Sequence, residues 1–242
     1  EGSANLHTNL ADVSKSLTEG RLNALTYQLM GQVEEHDAFA KEAASFDQSM
    51  GKGNVVADTK KYYEDSPLNP ISHYGKTKVE SEKIVLDHPN HVCLRLATVF
   101  GTSPRMRVDL LVNNFVYKAF KNKKITLFEG HFRRNYIHIN DVVDGIIYSI
   151  KNFDRLKSNV YNLGLSSANL TKYMLAKKIK DKIKYLKIKI VQNKKDPDQR
   201  DYYVSNKKIE KKGFKAKIKI EDGINELIKI FTNSNDKIIN NY

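Results

Sequence analysis

Ser72-His73-Tyr74-Gly75-Lys76-Thr77-Lys78-Val79-Glu80-Ser81-Glu82-Lys83 follows the loop Asp65-Ser66-Pro67-Leu68-Asn69-Pro70-Ile71. Two prolines close the loop, and no breaker follows until Pro89, so the stretch after it is expected to be a helix. On that helix Tyr74 and Lys78 are four residues apart and lie on one face, one turn from each other. A phenol beside a fixed ammonium makes a sensible general base, because the cation favours the phenolate and lowers a pKa that is ordinarily about 10. Alone, a Tyr-x-x-x-Lys pair is common, and an exposed helix start is then its ordinary meaning.

Composition sets wide bounds. The 242 residues are enough for one large domain or two small ones with a real core. Hydrophobic residues at 40% and charged residues at 29% are ordinary for a globular chain. No run approaches the ~20 apolar residues of a membrane helix. The first residues lack a basic start followed by an apolar stretch, so neither a secretory signal nor a membrane partner is expected. The single cysteine, Cys93, excludes an intramolecular disulfide, and a cytoplasmic location is the simplest reading.

The net charge of +13 is unevenly placed. Residues 1–66 hold 6 Lys+Arg against 11 Asp+Glu, and the remainder holds 35 against 17. A basic surface attracts polyanions. Here, however, the lysines are dispersed through Lys177-Lys178, Lys207-Lys208 and Lys211-Lys212 with Ile and Asn between, as on solvated helix faces. Nucleic acid is therefore not an expected partner.

Along the chain, Leu22, Leu25, Leu29, Val33 and Phe39 fall near helical spacing and predict an amphipathic helix, followed by a turn at Gly51-Lys52-Gly53-Asn54. The apolar run His91 to Phe100, ending at Gly101, predicts a buried parallel strand. Ligands of open α/β sheets gather outside the carboxyl ends of the strands, which puts Thr98 to Pro104 along the site. A helix is expected from Asp109 to Phe120 and a strand from Lys124 to Phe128. Arg133 and Arg134 are expected to precede a strand from Asn135 to Ile139. Asp141 is expected to cap a helix through Ile150. Tyr161 to Gly164 reads as strand and turn, Asn169 as the start of a helix to about Tyr185, and Leu186 to Val191 as a strand. A helix from Ile220 to Phe231 closes the chain.

Several chemistries are set aside. Gly75-Lys76-Thr77 ends like a phosphate-binding loop, but Pro70 stands where the first glycine belongs. The seven histidines form no H-x-x-x-H pair and no zinc set with cysteine, so no metal is expected. His138 reads as a packing residue. No G-x-S-x-G is present.

Taken together, the motifs resemble the extended short-chain dehydrogenase/reductase family, the NAD-dependent epimerases and dehydratases of nucleotide sugars. The resemblance rests on Glu64 to Pro70, Tyr74-Gly75-Lys76-Thr77-Lys78, Leu94 to Gly101, Arg134 to Val142, Tyr161-Asn162-Leu163-Gly164 and Asp198-Gln199-Arg200-Asp201, in the family's order over roughly residues 62 to 235. It implies an α/β fold: a partial Rossmann-like parallel sheet with a smaller C-terminal α/β substrate-binding part. On that reading 1–60 is an atypical, mostly helical segment and 61–155 the C-terminal half of the Rossmann-like domain. Residues 156–235 then form the substrate-binding part, and 236–242 a frayed tail.

The resemblance further implies Tyr74 and Lys78 as catalytic and cofactor-contacting residues. Arg134 and Arg200 would hold a nucleoside-diphosphate sugar, and Asn113 is either a further substrate contact or a helix asparagine near a cap. The implied cofactor is NAD, with NADP left open. The sequence departs from the family in having no G-x-G-x-x-G, the turn whose N–H groups hold the cofactor pyrophosphate. About seventy residues usual before the tyrosine are absent, and Ser45 and Ser49 lack the strand-like setting of the family's third catalytic hydroxyl. The alternative is thus a truncated, non-catalytic relative that binds a nucleotide sugar or acts as a subunit. A lost half-sheet leaves strand edges, from which a homo-oligomer is expected.

Overall fold

The computed structural model describes residues 61–70, 72–191 and 201–233. The N-terminal helix and turn expected before residue 60, Ser45, Ser49 and Arg200 lie outside the described residues. The chain opens with the short strand β1 (Lys61–Tyr62), the proline loop and helix α1 (His73–Leu86). Strands β2 (Val92–Leu96) and β3 (Thr98–Phe100) follow. Helix α2 (Leu111–Asn122) runs into β4 (Lys124–Phe128), β5 (Arg133–His138), α3 (Ile139–Lys151), the single turn α4 (Phe153–Leu156) and β6 (Asn159–Leu163). The last part comprises β7 (Asn169–Thr171), α5 (Lys172–Lys182), β8 (Lys187–Val191), β9 (Tyr203–Val204), the short α6 (Lys207–Lys211) and α7 (Ile220–Asn233).

Strand pairing is parallel for β1–β9, β2–β6, β3–β5 and β4–β8, and antiparallel for β5–β7. This is the α/β, mostly parallel arrangement expected. The apolar run 91–100 differs from expectation in being two strands. Ala97 breaks it, and its N–H donates to Leu163 O (2.9 Å), so the chain leaves β6 there and pairs with β5.

Three other expected boundaries move. Arg133 and Arg134 lie inside β5, because the ladder with β7 begins at Arg133↔Thr171. Residues 169–171 are strand β7, and the helix starts only at Lys172, capped by Thr171, whose hydroxyl accepts from Met174 N. Helix α3 starts three residues early, with His138 rather than Asp141 as its N-cap. The Asp141 carboxylate instead accepts from Lys217 N and Ile218 N (3.1 and 2.9 Å), joining α3 to the loop before α7.

The helices bury the stripes their periodicity predicts: Val112, Phe115, Val116 and Ala119 on α2, and Ile220, Ile224, Leu227 and Phe231 on α7. With Leu94, Ile125, Tyr136, Ile137 and Tyr161 from the strands they form one continuous apolar cluster. Helix α1 is the exception and has no fully buried residue. It is held by charge. The Arg95 guanidinium on β2 forks onto Glu82 of α1 (Nε–Oε2 2.9 Å, Nη2–Oε1 2.6 Å) and donates to Glu64 O (3.0 Å). Glu64 in turn accepts from Asn162 N on β6 (2.9 Å). The three segments around Tyr74 are thus tied through one cation.

Two measurements check this packing. A Cβ at Gly164, just past β6, would stand 1.8 Å from Asn135 Oδ1. Asn135 is fully buried and bonded to Leu165 O and Asn206, so it has no room to yield. Gly164→Ala should therefore lower stability by about 1–3 kcal/mol in chemical denaturation, the usual cost of overpacking. Burial, and then the neighbouring Glu82 carboxylate, push the Cys93 thiol up to about 11, against the opposing pull of Arg95. A raised folded pKa gives stability that is present below the ordinary thiol value and lost as pH climbs through about 11. Alkaline unfolding should accordingly begin earlier in the wild type than in Cys93→Ala, and native Cys93 should react with a thiol reagent at pH 8 about a hundredfold more slowly than the unfolded chain.

Candidate functional site

Helix α1 begins where Ser72 turns its side chain back to accept from Gly75 N (2.9 Å). Capping by serine satisfies one of the free N–H groups of the first turn. A Cβ at Gly75 would lie 3.2 Å from Pro70 Cβ, so the proline loop closes tightly over the helix start. One turn in, Lys78 Nζ sits 5.1 Å from the centre of the Tyr74 ring. The ammonium thus stands over the Tyr74 ring, on the helix face that the four-residue spacing gives. Burial lowers the pKa of Lys78 from the ordinary lysine value. Because α1 feeds β2 through a short connection, its amino end points toward the carboxyl end of β2, where open α/β sheets bind ligands.

Arg134 lies on β5, opposite Leu170 of β7. It is buried, with its guanidinium 5.2 Å from the Tyr202 ring centre, and it donates to Arg133 O (2.9 Å). The backbone of Arg133 is held by Asp201, whose carboxylate accepts from Arg133 N (2.7 Å). A stacked, planar guanidinium suits recognition of phosphate oxygens. Tyr202 had no visible role in the sequence, and its one signal was adjacency to the Asp-Gln-Arg-Asp motif.

Asn113 is buried on α2 and uses its whole amide locally. Its oxygen accepts from Gly101 N (3.1 Å), and its nitrogen donates to Gly101 O (3.1 Å) and Arg107 O (3.0 Å). It pins both ends of the loop that leaves β3. His138 is more than a packing residue: it caps α3 and bonds Glu226 of α7 (2.8 Å). No pattern in the sequence connects those two positions, which are 88 residues apart.

The NAD dependent epimerase/dehydratase family matches residues 25–164, reaching upstream of residue 60, where the motif resemblance had stopped. The chain is 31% identical to UDP-glucuronic acid decarboxylase 3 of Arabidopsis thaliana over 167 residues, 66% of this chain and 47% of that protein. It is 32% identical to UDP-glucose 4-epimerase of Lactobacillus helveticus over 139 residues, 48% of this chain and 42% of that one. The structure of the Thermus thermophilus UDP-glucose 4-epimerase in complex with NAD superposes with a TM-score of 0.62 at 19% identity, covering 74% of this chain and 60% of that one, and so shares the fold. The chain spans about half the length of the curated relatives it matches. Among the described residues no helix is long and apolar enough to cross a membrane. The matched family description, over more than half of the sequence and through the segment that carries Tyr74 and Lys78, makes this chain a member of the NAD dependent epimerase/dehydratase family.

Proposed function

We propose that the chain acts in the NAD-dependent epimerisation or dehydration of a nucleoside-diphosphate sugar, with Tyr74 and Lys78 as its catalytic pair. The observation that carries this reading is Lys78 Nζ 5.1 Å from the Tyr74 ring at the amino end of α1, in a chain of this family. Relatives named for UDP-glucuronic acid and UDP-glucose support the substrate class.

The residues present fit one end of the cofactor. Lys78 and Tyr74 suit the nicotinamide ribose, whereas the 242 residues include no glycine-rich turn for the pyrophosphate. NAD, when bound, supplies the hydride acceptor for a sugar carbon. Tyr74 Oη, as phenolate, takes the proton of the hydroxyl on that carbon, and the Lys78 ammonium favours the phenolate and donates to the ribose. Arg134 and Arg200 hold the diphosphate, which sets the register of the sugar without selecting it. Asn113 contributes by fixing the loop from Gly101 to Arg107 beside the substrate. Strand β2 has one strand neighbour, β6, among the described residues, and covering its other edge is the role assigned to self-association.

Calorimetry of NAD on the full chain, with Lys78→Ala as control, tests the cofactor half. Micromolar binding lost on substitution is expected; no heat at millimolar NAD would overturn the reading. Turnover of UDP-glucose or UDP-glucuronic acid should fall by roughly 10²–10⁴ in Tyr74→Phe, the range of a lost general base, with NAD binding retained. Undiminished turnover in that variant would remove Tyr74 from the chemistry.

A further inference from the structure

Glu226 lies on α7, yet its carboxylate bridges the loop after β3 and the start of α3. One oxygen accepts from Nε2 of His138 at 2.8 Å, and the other accepts from the hydroxyl of Thr102. The His138 ring is almost wholly enclosed, at 1% exposure, while Glu226 retains 36%.

The bonds assign the ring's protonation. Nδ1 accepts from Asn140 N at 3.2 Å, where His138 caps α3, so the neutral imidazole carries its proton on Nε2 and donates it to Glu226. Two glycines make the close approach possible. A Cβ at Gly223, one turn before Glu226, would come 2.3 Å from Phe100 and 3.0 Å from His138. A Cβ at Gly101, whose φ of +116° already calls for glycine, would come 2.5 Å from His138 Nε2. The Phe100 ring completes the contact, edge-on to His138 at 5.3 Å. Helix α7 is therefore seated directly on the end of β3 and on β5.

We propose that Glu226 is a positioning residue whose carboxylate, holding Thr102 and His138 together, fixes β3 and the loop 101–107 and so couples the C-terminal helix to the substrate side of the site. The loop then has two independent fasteners: Asn113 grips the backbone at Gly101 and Arg107, and Glu226 grips the Thr102 side chain between them. The link to substrate rests on the proposed function, but the fastening itself does not.

The role is one of hydrogen bonding and not of charge, which makes Glu226→Gln informative. A glutamine oxygen can accept from His138 Nε2, and its NH₂ can donate to the Thr102 hydroxyl, which also accepts. Amide hydrogen exchange on the full chain reads the fastening without any ligand. Glu226→Ala and the milder Thr102→Val should speed exchange across 101–107 about tenfold or more, with α1 unchanged, and Glu226→Gln should restore the wild-type rates. Imidazole ¹⁵N spectra should show the Nε2-protonated form of His138 in the wild type and a changed Nε2 signal in Glu226→Ala. With UDP-glucose and NAD as probes, kcat should fall about tenfold in Glu226→Ala while KM moves less than threefold, and Glu226→Gln should recover it.

Unchanged loop exchange in both Glu226→Ala and Thr102→Val, or a Glu226→Gln variant as impaired as Glu226→Ala, would overturn the proposal. If no nucleotide sugar is turned over by the wild type, the proposed function fails, while the exchange and ¹⁵N results still decide the fastening.

Discussion

The Arg95 guanidinium holds the helix that carries Tyr74 and Lys78 to the sheet behind it. Helix α1 buries no residue fully, and Ile84 and Leu86 near its end are exposed, so apolar packing alone does not seat it. The fork from Arg95 to Glu82 does so with defined geometry, and the same side chain reaches Glu64 O in the loop before the helix. A planar cation with five donors can fork onto the Glu82 carboxylate and still reach Glu64 O, whereas a lysine could not make the parallel two-bond fork. Removing one partner of such a pair costs roughly 3–5 kcal/mol when burial is complete; with Arg95 at 20% exposure, the figure here is an upper bound. Helix α1 is therefore tied to the sheet through Arg95, a residue on β2.

Much of the fold is organised in the same way, by polar side chains that fasten backbone. Asn113 closes a loop, Asp141 binds two N–H groups before α7, and Asn169 both donates to Val204 O and accepts from Val204 N, tying β7 to β9. Buried amides and carboxylates are stable only when their bonding capacity is used. Their value here is directional, since each bond admits one arrangement of the segments it joins. Apolar packing supplies most of the driving force, and these groups select the geometry in which it is realised.

What the sequence revealed depended on the range of the interaction involved. Helices α2 and α7 were legible because their apolar residues repeat at helical spacing, and Ser72 with two prolines before it marked the start of α1. The Tyr74–Lys78 juxtaposition needed only four residues of spacing. Boundaries failed where a distant partner decides. Residues 169–171 become a strand because β5 pairs with them, and the run 91–100 breaks at Ala97 because two different strands flank its halves. His138 displaced Asp141 as a cap because Lys217 and Ile218 claim the aspartate. The bond from His138 to Glu226, like the stacking of Tyr202 on Arg134, exists only once the chain has closed on itself, and local pattern carries no trace of it.

The β4–β8 pair has a further consequence. Its register sets Lys124 against Lys187, with both side chains exposed, so one pair of like charges faces across the ladder, and Lys189 adds a further exposed ammonium on the same face. Such pairs weaken the ladder somewhat. The same charges make it a poor template, because an incoming strand would have to bring its backbone alongside a row of ammonium groups. Ile190, exposed in the same strand, would otherwise offer a sticky edge. The lysines thus disfavour the pairing of a further strand here, and the repulsion weakens at high ionic strength, where the Debye length shrinks to about 3 Å.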